Sequence, residues 1–459
     1  MKLFANNLQQ RPRVVIVGGG FAGLSAAKGL ENAPVDVVLI DRQNYHLFQP
    51  LLYQVATAVL SPADIASPIR HILRDQKNVE VVLDELSGVD PKRKNIQTSW
   101  GELNYDYLVL ALGVTHSYFG HDEWSKYTPG LKTIDDALEI RRRILLAFEE
   151  AEREQDEISR QAKLTFVVVG GGPTGVEMAG ALKEIAADSI PHDFRHIDTT
   201  TARVVLVEAT ERLLSAMPDG LGKQAKIDLE NMGVQVYVNS PVTEIDENGV
   251  KIGEEYLRAE NVIWAAGVQG SPVIKSLDVG LDGQGRVLVE SDLSLAGHPE
   301  IFVIGDLAKV GDPKSGESIP AVAPAASQMG RYVAKIIQSE INNQQHPVDR
   351  SHFKYVDKGS LATIGRFKAV ASLGGWNIHG SLAWLLWCFV HIFFLIGFRK
   401  RMFVMLSWTW NYLAFAKGAR LITGFPRTKI KSPRGVVPYR QQSNFSNGLD
   451  GAKLTNDKH

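Results

Sequence analysis

The chain of 459 residues contains one cysteine, Cys388. A lone thiol cannot form an internal disulfide, ligate an iron–sulfur cluster, complete a Cys-rich zinc site or act as a catalytic dithiol. Carboxylates are missing over a long stretch, since no Asp or Glu occurs between Lys358 and Leu449. The formal net charge of −1 hides this asymmetry: Arg399 to His459 holds twelve Lys or Arg against Asp450 and Asp457. A near-neutral total gives no reason to expect nucleic-acid binding. The opening residues, MKLFANNLQQRPR, lack the apolar stretch of a secretory signal, so the catalytic body is expected to stay in the compartment where it is made.

What is present is an ordinary globular composition, with 44% hydrophobic and 22% charged residues. The length suggests about three domains. The run Val14–Val17 reads as a buried strand, stops at Gly18-Gly19-Gly20, and gives way to an Ala- and Leu-rich helical pattern. A second apolar run, Val35–Ile40, ends in Asp41. Gly18-x-Gly20-x-x-Gly23 therefore lies between a strand and a helix, with an acidic residue at the next strand's end, the context a dinucleotide cradle requires. Gly18 turns the chain, Gly20 lets a pyrophosphate reach the backbone, and Gly23 lets helix and strand pack closely. The helix N-terminus adds partial positive charge. Asp41 is placed for a ribose 2′-OH. A purely structural glycine turn is the competing reading.

The pattern recurs as Gly170-x-Gly172-x-x-Gly175 after Phe166–Val169, with Glu208 closing Val204–Val207. The wider spacing to Glu208 fits an insertion over Asp188–Thr201. A carboxylate here repels a 2′-phosphate and so favours NADH over NADPH, although Arg212 lies near, with Glu211 beside it. The phrases Leu108–Gly113 and Val262–Gly267 close the two halves and make Ala111, Gly113 and Gly267 cofactor candidates. Ile301–Ile304 leads into Gly305-Asp306, where Asp306 is placed to cap a helix. Ile140, Ile144, Leu145 and Phe148 at helical spacing predict one amphipathic connecting helix over 134–163. Two cradles in one chain point to a flavin that takes hydride from a nicotinamide and holds two electrons for onward transfer.

VVIVGGGFAG, VVVGGGPTGVEMAG and IFVIGDLA resemble the flavoprotein reductases related to glutathione reductase. That resemblance implies an α/β fold of two Rossmann-like dinucleotide-binding domains, with FAD bound in the first cradle, NADH in the second, and Asp306 reaching the flavin. The disulfide-reductase branch needs a cysteine pair where this chain has NYHLFQPLLYQVA. That phrase, with GVEMAG at Gly175–Gly180 and LATIGRFKAVA at Leu361–Ala371, resembles the type II NADH:quinone oxidoreductases from about Arg13 to Gly424. The resemblance places Glu177 near flavin and quinone; a Glu stabilised at a helix N-terminus is the alternative. The family's Ala-Gln-x-Ala-x-Gln segment falls on Ala323–Gln328, with Pro324 replacing the first Gln, so Gln328 is the quinone-side candidate. Glu177 and Gln328 are thus the expected catalytic pair, and no residue pattern suggests a proton channel.

The resemblance divides the chain into an FAD domain (1–133 and 289–340), an NADH domain (164–288), a strand-rich segment (341–375) and membrane-anchoring helices with a basic tail (376–459). Five of the eight Trp lie between Trp376 and Trp410, around Ser381–Phe398, which carries no formal charge. Eighteen residues are marginal for crossing a membrane. Arg399-Lys400-Arg401 on the far side would also oppose the positive-inside tendency. A monotopic anchor on the cytoplasmic face, binding lipid and admitting a membrane quinone, is expected; a homodimer surface remains open. The competing functions are an NADH-dependent reductase of a small redox protein and a non-catalytic FAD- and NADH-binding regulator.

Overall fold

Val14, Val15, Ile16 and Val17 are β-branched and buried, which suits the middle of a sheet covered on both faces. They form strand β1 (Arg13–Val17), which runs parallel to β2 (Asp36–Asp41) with Val15 opposite Val38. Helix α1 (Phe21–Gly29) crosses between them. Strand β3 (Val79–Leu83) extends the sheet beyond β2, and β4 (Tyr107–Leu110) pairs with the other edge of β1. A short helix, α2 (Leu52–Ala56), lies in the connection after β2 and is wholly buried. The computed structural model describes residues 11–311, 316, 318–343, 350–414 and 419–423. The basic tail expected beyond these lies outside the described residues.

The single connecting helix expected over 134–163 is two helices, α3 (Ile134–Arg153) and α4 (Glu157–Lys163). Glu154 adopts an extended conformation, and the Asp156 carboxylate accepts the Ser159 N–H at 2.8 Å, capping a new helix. The second unit then repeats the first. Strand β5 (Thr165–Val169) leads into helix α5 (Pro173–Glu184), and β6 (Arg203–Val207), β7 (Val234–Tyr237) and β8 (Asn261–Trp264) complete a parallel sheet ordered β7-β6-β5-β8.

The NADH domain expected to end at residue 288 ends earlier. Val268–Gly270 pairs antiparallel with Val114–His116, and Ile274, Leu277 and Val287 already belong to the first unit's core. Strands β9 (Ser294–Leu295) and β10 (His298–Val303) finish the first sheet in the order β9-β10-β4-β1-β2-β3. Helix α6 (Ala323–Asn343) lies so close to α1 that a Cβ on Gly330 would fall 2.1 Å from the Ala22 carbonyl oxygen.

The strand-rich segment is the antiparallel sheet β11 (Ser360–Gly365), β12 (Lys368–Leu373) and β13 (Trp376–His379). Gly374 and Gly375, both at positive φ, turn β12 back into β13, so helix starts at Ser381 rather than 376. Helix α7 (Ser381–Phe394) and helix α8 (Phe398–Ala414) follow, broken at Gly397 with φ +95°. No helix among the described residues is long and apolar enough to cross a membrane.

Candidate functional site

The two cradles have one geometry. Gly18 and Gly170 hold φ of +106° and +114°, where a side chain would run into the backbone of Ala111 or Ala265. A Cβ on Gly23 or Gly175 would lie 1.8 Å from the carbonyl oxygen of Gly18 or Gly170. At Gly20 and Gly172 nothing stands within 4 Å of that position, so both N-termini open onto free space beside helix N–H groups. The acidic partners are held alike. Asp41 accepts the Gly19 N–H at 2.5 Å and the Gln43 N–H at 2.6 Å. Glu208 accepts the Gly171 N–H at 2.6 Å and the Thr210 N–H at 2.7 Å. A carboxylate has about four acceptor positions, so each retains capacity for a ribose hydroxyl. The residues present therefore fit a dinucleotide pyrophosphate in each unit.

The first cradle has further walls. Gly113, at φ +65°, continues from Ala111 with open space before its Cβ position. Asp306 sits in the tight turn Gly305–Leu307 after β10, where burial raises its carboxyl above the ordinary range against the pull of Lys132 and Arg286. Burial likewise raises Asp41, against its two backbone hydrogen bonds. In the second unit Gly267, at φ +69°, packs where a Cβ would meet the Phe119 ring at 2.6 Å.

Glu177 projects from α5 into the protein. Gly180, one turn further, brings α5 against β11 so closely that its Cβ would lie 1.7 Å from the Ile364 carbonyl oxygen. The Thr363 N–H then faces the Glu177 carboxylate at 3.5 Å. Burial pushes the Glu177 carboxyl up to about 8, opposed in part by Thr363 and by the neighbouring Trp387 indole. At neutral pH it is mainly the protonated acid, which suits a proton donor.

A pocket of about 660 Å³, counting its open mouth, is lined by Glu177, Glu184 and Asp188, by Thr363–Arg366 and by Tyr53, Gln54 and Trp408. Gln328 is not part of that lining. It lies on α6, where its amide donates to the Val356 carbonyl and accepts the Val356 N–H, both at 3.0 Å. The sequence reading missed Tyr53, Gln54 and Trp408. Tyr53 and Gln54 lie within the phrase NYHLFQPLLYQVA, so their region was signalled. Trp408 belongs to the Trp cluster of the expected membrane anchor, yet it is 3% exposed and donates to Gln54 Oε1 at 2.8 Å.

The tail helices have two apolar faces. Ala383, Trp384 and Trp387 of α7 are buried, whereas Leu382, Leu385, Phe389 and Phe393 recur on the opposite face and are 57–67% exposed. Of Arg399, Lys400 and Arg401, Lys400 turns inward, donating to the Ala66 carbonyl and to Ser67 Oγ.

Residues 12–330 match the pyridine nucleotide-disulphide oxidoreductase family, and residues 358–415 match the NDH2 C-terminal domain. A type II NADH:quinone oxidoreductase of Mycobacterium tuberculosis is 44% identical over 438 residues, covering 92% of this chain and 93% of the relative. One from Staphylococcus haemolyticus is 32% identical over 387 residues, 82% of this chain and 93% of the relative. Among solved structures, NDH2 of Plasmodium falciparum in complex with NADH superposes with a TM-score of 0.81 at 22% identity, covering 90% of this chain and all of that one. With two dinucleotide cradles, no cysteine pair beside them and a matching C-terminal domain, the chain belongs to the type II NADH:quinone oxidoreductases.

Proposed function

We propose that FAD occupies the first cradle, held by Gly18, Gly20, Gly23, Asp41, Ala111, Gly113 and Asp306. NADH then docks on Gly170, Gly172, Gly175, Glu208 and Gly267, and quinone enters the pocket that Glu177 lines. The chain is an FAD-dependent oxidoreductase of this non-proton-pumping family, passing electrons from NADH to quinone. Bound FAD supplies the two-electron store between donor and acceptor. The chain's own residues position and protonate. Helix α5 directs its N-terminus at the NADH pyrophosphate, while Glu177 on its body holds a proton for the quinone oxygen. Gln328 holds the Val356 segment in place through both ends of its amide.

The observation that carries this reading is a buried acid, protonated near neutral pH, in an open pocket to which α8, whose Leu406 and Trp410 are exposed, contributes Trp408. A lipid-soluble acceptor is thereby delivered beside a proton source. Anaerobically, the oxidised flavin spectrum of the purified protein should bleach on adding NADH and return on adding a soluble quinone. Return only with a small redox protein would refute the quinone assignment.

We further propose that the exposed faces of α7 and α8 seat the protein in the cytoplasmic face of the membrane, where NADH is available. Each buried apolar side chain contributes about 1.5–3 kcal/mol. Removing the C-terminal region is not a clean test, because Trp387 and Trp408 belong to the protein core. Leu382→Glu with Phe389→Glu alters only exposed positions and should weaken binding to anionic vesicles by at least about a hundredfold. Unchanged sedimentation with vesicles would place the lipid contact elsewhere.

A further inference from the structure

Tyr53, Gln54 and Trp408 form a hydrogen-bonded chain whose direction is fixed. An indole N–H donates only, so the Trp408 contact at 2.8 Å defines Gln54 Oε1 as the acceptor. The opposite end of the amide, Nε2, must then donate, and it does so to the Tyr53 hydroxyl oxygen at 2.9 Å. Tyr53 therefore accepts from Gln54, and its own hydrogen points away from that amide. All three side chains are at most 5% exposed, and all three line the pocket that contains Glu177.

The segment bearing Tyr53 and Gln54 is held on several sides. Thr57 Oγ1 donates to the Tyr53 carbonyl at 2.9 Å. The buried guanidinium of Arg141 donates to the carbonyls of Val55 at 2.8 Å and Leu60 at 3.1 Å. Ala419 N–H donates to the Ala58 carbonyl at 3.3 Å. Such fixation costs little further entropy when a ligand accepts a hydrogen bond there. A quinone carbonyl is an acceptor whose oxygen becomes more negative as electrons arrive, so an oriented donor favours the reduced form more than the oxidised one.

We propose that the Tyr53 hydroxyl donates a hydrogen bond to the bound quinone, and that Gln54 and Trp408 are positioning residues that aim it. The inference rests on the reading that this pocket takes quinone. Trp408 lies on α8, whose Leu406 and Trp410 are exposed, so the helix that seats on lipid also sets the donor's direction. The overall reaction is unchanged: NADH, one proton and quinone give NAD⁺ and quinol, and Tyr53 keeps its proton.

Stopped-flow measurement on the holoenzyme with a soluble quinone tests this. Tyr53→Phe should bleach normally with NADH and reoxidise about tenfold more slowly, the effect of one lost hydrogen bond to a developing charge. Trp408→Phe keeps a ring but removes the donor, and should slow reoxidation about threefold with flavin content and Tm retained. In the Tyr53→Phe background Trp408→Phe should add nothing. Full additivity would mean that Trp408 acts by packing alone and would overturn the positioning role. If Trp408→Phe does not fold, Gln54→Met breaks the same chain and is read in the same way. Parent-rate reoxidation of Tyr53→Phe, with Glu177→Gln slow, would overturn the proposal while sparing the pocket. Parent rates in both variants would overturn the pocket reading as well.

Discussion

The two cradles share their turns, their close helix–strand packing and their acidic partner, yet their helices are covered by different things. Helix α1 lies under α6, with Asp306 at the turn beside them, so the first cradle is enclosed by a returning segment of chain. Helix α5 is covered by the C-terminal strand β11 instead, through Gly180 against Ile364. The first arrangement suits a cofactor that stays. The second leaves the Gly172 end of α5 open and carries Glu177 to a separate pocket, so on the proposed assignment one helix serves donor and acceptor at different points along its length. The cradle occurs twice, and the covering elements make the two copies different.

That contrast is open to mutation because Gly20 and Gly172 face space rather than protein. Gly20→Val should leave the fold intact but place methyl groups in the open space proposed for the FAD pyrophosphate. The purified protein should be colourless, with native circular dichroism and an absent flavin absorbance; stoichiometric FAD would break the assignment. Gly172→Val is the sharper comparison, since it should retain FAD yet lower bleaching by NADH at fixed concentration by about a hundredfold. Loss of FAD there would mean that the units do not bind independently. The smallest effect belongs to Glu208→Gln, which keeps the hydrogen-bonding shape and removes the charge. The ratio of kcat/KM for NADH over NADPH should fall by about tenfold, and an unchanged ratio would assign the choice to Arg212 or another group.

The cradles were readable because their requirements are local. A β-branched strand, three glycines and a carboxylate at the next strand's end lie within one βαβ unit, and each answers a steric or electrostatic need. The connecting helix was misread because Ile140 to Phe148 carry the period but say nothing about Glu154, where the backbone leaves the helix. The tail shows a different limit. Ser381–Phe394 is apolar all round, so composition cannot tell which face meets lipid and which meets protein; only the packing of Trp384 and Trp387 against the body decides. The Trp408–Gln54 contact joins residues 354 positions apart, and no periodicity encodes that. Gln328 was reached by family pattern alone, and its hydrogen bonds to Val356 depend on a loop whose course the sequence does not show.

As proposed, α5 separates the two half-reactions, with NADH at its N-terminus and a protonated Glu177 on the quinone side. Glu177→Gln tests it in one stopped-flow series across pH. Burial raises the Glu177 carboxyl to about 8, so in the parent the acid is present below that pH and lost above it. Glu184, Asp188 and Arg366 line the same pocket, and His391, stacked on Trp387, is held neutral by burial, pushed down to about 4. Reoxidation by quinone should therefore decline as pH rises through about 8 in the parent. In Glu177→Gln it should be about a hundredfold slower and lack that decline, while bleaching by NADH stays near the parent rate. Slowed bleaching with normal reoxidation would place Glu177 on the NADH side and remove it from quinone reduction.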